Sequence, residues 1–208
     1  MKGTLFSQLL LSGMLASASA APVLAGNAAP KAGQYEALML AVTPDRKVEG
    51  FYSEELGEGV SRRCAFYLQG QLNDAERTQV TTWRREAYPG SIAITSDSIS
   101  LTVPRGQEHP GCMSVLGPMI STGLTLSRIA SKPWIGLVTV SADKAYLQKT
   151  RSGQAGNGPY IIKGDVVGVL AYEAGWAKVE FPGTDDRSHI GWIRQDQYSR
   201  LQPAGSQE

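Results

Sequence analysis

Turn residues interrupt this chain at intervals too short for most helices. Thr43-Pro44-Asp45, Gly57-Glu58-Gly59, Tyr88-Pro89-Gly90 and His109-Pro110-Gly111 each supply the Pro, Gly or Asp chemistry of a tight reversal. The segments between them have strand composition: residues 35–43, 47–53, 63–70, 79–84, 91–95, 98–103, 112–116 and 123–129. In Ser98-Ile99-Ser100-Leu101-Thr102-Val103 the apolar residues take every second position. That period belongs to a sheet with one face on a core and the other in water. No long stretch keeps a helical apolar period. Asn73-Asp74-Ala75-Glu76, with Asn and Glu at capping-box spacing, predicts a single helical turn. The expected fold is therefore all-β, with an N-terminal small antiparallel β-barrel or sandwich over residues 35–132.

The N-terminus reads as an export signal. Lys2 gives a positive start, residues 5–15 are mostly apolar, and Ala18-Ser19-Ala20 places small residues before a cut at Ala21. The apolar run falls short of the roughly 20 residues that span a bilayer. Residues 1–20 are expected to be a signal peptide and residues 21–34, rich in Ala, Gly and Pro, a flexible leader. The mature protein is expected to be periplasmic or secreted, with no membrane insertion after cleavage. Charge is balanced: residues 21–135 carry 11 basic and 11 acidic side chains, and residues 136–208 carry 8 and 8. Neither half has the basic excess that draws nucleic acid, so no nucleic-acid partner is expected.

Ser131-Lys132-Pro133 marks a junction, after which the pattern changes. Val138-Thr139-Val140 opens the segment, and Lys163-Gly164-Asp165-Val166-Val167 starts a strand after a long loop. Trp176-Ala177-Lys178-Val179-Glu180-Phe181 and Gly191-Trp192-Ile193 follow. Ala177, Val179 and Phe181 alternate with Trp176, Lys178 and Glu180, so one face of that strand is apolar and Trp176 sits on the other. Gln195-Asp196-Gln197-Tyr198 suits a final short turn. Taken in order, these elements resemble the bacterial SH3-like (SH3b) domain, over residues 137–202. The resemblance implies a C-terminal SH3-like β-barrel that tethers its protein to a partner or to cell-wall peptide and is not itself catalytic.

The stretch Gln107-Glu108-His109-Pro110-Gly111-Cys112-Met113-Ser114 holds one of two cysteines and one of two histidines. A cysteine nucleophile needs a base nearby. The stretch superficially resembles the L,D-transpeptidase motif, but Ser114 stands where that family has Arg, and no His-Gly element lies upstream. His189 follows the cysteines in order but lies in a polar Asp-Asp-Arg-Ser-His loop. Cys64, His109, Cys112 and His189 have the composition of a zinc site without its second short ligand pair. An exported chain with an even number of cysteines pairs them, so a Cys64–Cys112 disulfide is expected, with His109 an exposed turn residue. Asp185-Asp186 lacks EF-hand spacing. No catalytic residue, metal or cofactor is expected.

Aromatic residues beside turns are the remaining candidates for recognition, since Tyr and Trp bring large contact area at low entropy cost. The candidates are Tyr146 and Trp176 in the C-terminal part, and Trp83, Arg84 and Arg85 in the first. The expected function is non-catalytic binding of a protein or a peptidoglycan peptide in the cell envelope. An envelope inhibitor or immunity protein using the loop at residues 56–63 is the alternative, and an unrecognised envelope enzyme the third.

Overall fold

The computed structural model describes residues 31–59, 61–73, 77–95, 97–152, 158–183 and 187–203. The expected signal peptide, the leader up to residue 30, Asp74 to Glu76 of the expected helical turn, and Asp185-Asp186 lie outside the described residues. Eight strands form a closed antiparallel barrel in sequence order: β1 (Gly33–Tyr35), β2 (Leu38–Val42), β3 (Lys47–Leu56), β4 (Arg62–Gln71), β5 (Arg77–Trp83), β6 (Ala87–Ile94), β7 (Ser98–Thr102) and β8 (Leu124–Ser131). The barrel closes where β1 pairs with β8. The expected barrel-or-sandwich choice thus resolves to a barrel. Gly33 and Gln34, expected in the leader, already pair within β1. Residues 35–43, expected as one strand, are broken between β1 and β2.

Alternation fills the lumen. Leu38 and Leu40, Val48 and Tyr52, Cys64, Phe66 and Leu68, Val80, Tyr88 and Ile92, Ile99 and Leu101 make one buried cluster. On β5 and β8 the alternate positions Arg77, Gln79, Thr81, Thr125 and Ser127 are exposed. An apolar interior with polar residues on the open wall reverses the arrangement of a membrane-spanning barrel.

The 21 residues between β7 and β8 depart from the expected strand at residues 112–116. They form two 3-10 turns, Gly106–Glu108 and Pro118–Ser121, joined by further turns. Val103, Cys112, Val115, Leu116 and Ile120 of this segment join the barrel core, and His109 is buried against Phe66. The Cys64–Cys112 disulfide ties it to β4. Gly111 makes the approach possible: its φ is +84°, and a Cβ there would stand 2.3 Å from the carbonyl oxygen of Arg63.

The remaining strands are β9 (Gly136–Val140), β10 (Lys144–Tyr146), β11 (Tyr160–Ile162), β12 (Val166–Glu173), β13 (Trp176–Pro182), β14 (Ser188–Arg194) and β15 (Tyr198–Arg200). They build a five-stranded sheet of order β14-β13-β12-β9-β15 and a separate β10–β11 hairpin. A 3-10 turn at Gln195–Gln197 precedes β15 where a short turn was expected.

The sheet and the barrel share a third apolar cluster. Met39, Ala41, Phe51, Ala65 and Trp83 on the barrel wall meet Trp134, Leu137, Val166 and Leu201. The expected junction is therefore a buried anchor. Trp134 is 1% exposed, and its Nε1 donates to Glu180 Oε2 at 2.8 Å. Lys132 Nζ reaches Glu180 Oε1 at 2.5 Å. Burial pushes the Glu180 carboxyl up, but hydrogen bonds from Lys132, Ser188 and Trp134 outweigh it and hold the pKa below the usual range. Glu180, on the non-apolar side of the expected alternation of β13, is buried because Trp134 and Lys132 cover it. Gly168 has no side chain because the Trp134 ring lies where one would go, 2.3 Å from a Cβ position.

Candidate functional site

Beside the turn between β12 and β13 lies a groove of about 460 Å³, lined among others by Tyr172, Gly175, Trp176, Gln195, Tyr198 and Arg200. Local geometry explains each placement. The β12–β13 ladder slips between Val169 and Ala171, leaving Leu170 as a bulge. A bulge reverses the alternation beyond it. Tyr172 therefore pairs with Ala177 and leans on the second core, whose members include Val169 and Val179. Ala174 and Gly175, at φ +20° and +82°, turn the chain into β13 and start it at Trp176. Gln195 N–H donates to the Gly175 carbonyl at 2.8 Å, which pins that turn to the 3-10 turn before β15. Register then sets Tyr198 opposite Val140 and Arg200 opposite Val138. The Tyr172 and Tyr198 rings stand 6.4 Å apart, and the Arg200 guanidinium lies 4.5 Å from the Tyr172 ring centroid.

Past Arg200 a second hollow of about 330 Å³ opens against the barrel, lined by Asp45, Lys47, Glu49, Ile135, Tyr172 and Arg200, among others. Tyr172 and Arg200 are walls common to both hollows. Glu49 is buried, with Oε2 accepting from Leu137 N–H at 2.8 Å and Oε1 from Gln69 Nε2 at 3.4 Å. Burial raises its pKa in spite of those donors. Burial also pushes the Tyr172 phenol up to about 12, with Arg200 opposing and Glu49 adding to the rise. Tyr198 is raised by burial in the same way. At neutral pH both phenols are uncharged hydrogen-bonding groups on an aromatic wall.

The candidates from the sequence scatter. Trp176 lines the groove. Tyr146 does not: it lies on β10, with its ring 5.9 Å from Tyr160 of β11 and Lys144 Nζ 3.7 Å from the Tyr160 ring. Trp83, expected as a recognition candidate, is buried. It is 4% exposed because the second sheet covers the outer face of β5 where it ends. Arg84 and Arg85 are exposed in the turn after β5, and Arg84 lies 5.9 Å from the Tyr67 ring. The loop at residues 56–63 is the tip of the β3–β4 hairpin. Tyr198, Arg200 and Glu49 were not among the expected site residues; an aromatic and a cation two apart beside the last turn were the available signal.

The region around Cys112 is held by the disulfide to β4. Both cysteine sulfurs are bonded to each other. His109 is 2% exposed, not the exposed turn residue expected. Its ring stacks on Phe66 at 4.7 Å and meets Tyr88 at 4.9 Å, and its Nε2 lies 3.0 Å from Thr82 Oγ1. Burial lowers its pKa to about 4, so the imidazole is neutral.

A third hollow, about 540 Å³, lies beside Lys149, Arg151 and Trp192, but its Arg151 is held by Glu173 at 2.9 Å and by the Trp192 ring at 5.4 Å. The groove at Trp176 is the stronger site, because two phenols, an indole and a guanidinium without an ion pair among the described residues converge there. No protein-family model, no curated protein and no solved structure matches this chain.

Proposed function

We propose that this chain is an exported, non-catalytic binding protein of the cell envelope, whose ligand is a protein or a peptidoglycan peptide held in the groove of Tyr172, Trp176, Tyr198 and Arg200. The observation that carries the reading is the contrast between a barrel lumen packed with side chains and a groove whose aromatic walls stay open to water. Aromatic and arginine side chains are the groups that contribute most at recognition surfaces.

An SH3-like identity for residues 137–202 is part of the proposal. It is supported by the five-strand order, the hairpin set in the long loop after β9 and the 3-10 turn before the last strand. A disulfide is compatible with an oxidising compartment outside the cytoplasm. Among the described residues no helix is long and apolar enough to cross a membrane. The non-catalytic reading draws support from the bonded state of both cysteines and from the burial of His109 among rings and a threonine.

Co-sedimentation with purified sacculi and with envelope protein extracts tests the proposal. The wild-type protein is expected to be retained by one of the two, and Trp176→Ala to release it. Retention that survives Trp176→Ala and Tyr198→Ala would overturn the groove as the site.

A further inference from the structure

We propose that Arg200 anchors the free carboxylate of a peptide chain end, an inference that rests on the binding reading above and assigns its ligand chemistry. Neighbouring cations are already engaged: Lys47 with Asp45 at 2.9 Å, Arg151 with Glu173 at 2.9 Å, and Arg194 with Asp196. Arg200 forms no ion pair among the described residues. Glu49, a buried acid of the second hollow, accepts from Leu137 N–H and Gln69 and feels the Arg200 charge without forming an ion pair with it. The guanidinium rests against the Tyr172 ring, which fixes it between the two hollows. A stacked guanidinium keeps its N–H edge for a planar acceptor, and a carboxylate matches that fork with two parallel hydrogen bonds.

The surroundings select among anions. Beside the guanidinium, Asp45 and the buried Glu49 line one hollow and Glu173 the other. With Asp45 and Glu173 already paired to Lys47 and Arg151, Arg200 is left as a single positive charge, which favours a monoanion over a dianion or a polyanion. The walls of the first hollow are phenol and indole, and the further cation in the second, Lys47, is held by Asp45, an arrangement that suits the residues preceding a chain terminus. Hollows of about 460 and 330 Å³ on either side of Arg200 provide space for a short peptide.

The test uses the full secreted chain and two pools of N-acetylated tripeptides, one with free C-termini and one C-amidated. Two-dimensional NMR follows the Trp176 indole N–H and the Arg200 Nε–H. The free-acid pool is expected to move both resonances, with binding about tenfold to a hundredfold tighter than the amidated pool, the worth of a charge-assisted pair. Arg200→Gln is expected to erase the difference between pools, and Arg200→Lys to keep only part of it, because the fork is lost while the charge remains. Equal binding of the two pools overturns the carboxylate inference. So does inorganic phosphate moving Arg200 as strongly as the peptides, or free-acid peptides leaving both resonances still at millimolar concentration. Sacculi with carboxylates amidated by carbodiimide coupling separate the two proposals. If the protein stays bound to amidated sacculi and Trp176→Ala still releases it, the carboxylate inference fails and the binding reading stands. If neither untreated sacculi nor envelope extracts retain the protein, the binding reading fails.

Discussion

Inside the barrel, Tyr52, Phe66 and His109 stack in sequence at 4.9 and 4.7 Å behind a closed wall of strands; in the second sheet, Tyr172, Trp176 and Tyr198 border an open groove. The difference follows from topology. A closed barrel satisfies every strand along both edges and turns its alternate side chains into one interior. The five-stranded sheet has two edges, and Tyr198 and Arg200 belong to the edge strand β15. Rings there are half covered by the second core and half left to water. Side-chain types that are buried in one region are thus left partly open to water in the other.

The comparison breaks first at the anchor that joins the regions. Trp134→Ala is expected to cost about 5 kcal/mol, the upper end for a buried Trp, because Glu180 also loses a donor. Urea unfolding checks this. A loss below about 2 kcal/mol would mean that barrel and sheet stand independently.

Removing the staple acts on the barrel alone. The double variant Cys64→Ser with Cys112→Ser opens a loop with a sequence separation of 48 and is expected to lower stability by about 4 kcal/mol. Thermal melting reads the loss, and ligand retention well below the melting temperature is expected to be unchanged.

His109 sharpens the contrast through pH. Its pKa of about 4 in the folded protein lies below the value of 6.5 for a free side chain. The unfolded chain therefore takes up the proton first, and the stabilisation present above pH 6.5 is lost as pH falls toward 4, by up to roughly 3 kcal/mol. His109→Phe is expected to flatten the stability profile over that interval. An unchanged slope would contradict the buried, neutral imidazole. The smallest stability effect belongs to the groove: Trp176→Ala is expected to cost only about 1 kcal/mol while abolishing retention.

The barrel was legible in the sequence where one face meets water. Residues 98–103 alternate, and β7 lies within them with Ile99 and Leu101 buried. Legibility fell where both faces are covered. Leu38-Met39-Leu40-Ala41-Val42 is apolar throughout because Leu38 and Leu40 fill the lumen while Met39 and Ala41 meet the second sheet. That continuous run merged with β1 into one expected strand. Burial overrode local chemistry at His109 and Glu180, since turn residues and alternation report the chain's own preference and not what folds over it. Trp134 follows a proline in a segment that reads as a connection, so nothing local marks it as an anchor. The groove was half visible. Trp176 begins a strand beside a turn, whereas Arg200 meets Tyr172 only through the pairing of β15 with β9 and of β9 with β12.

The central claim is that recognition belongs to the sheet and stability to the barrel. An amide and indole chemical-shift map of the full chain, titrated with a soluble digest of sacculi, tests it most directly. The account expects the shifts to gather at Tyr172, Trp176, Gln195, Tyr198 and Arg200, with the barrel strands still. Shifts centred on the β3–β4 hairpin tip, on Arg84 and Arg85, or on Tyr146 and Tyr160 would contradict it.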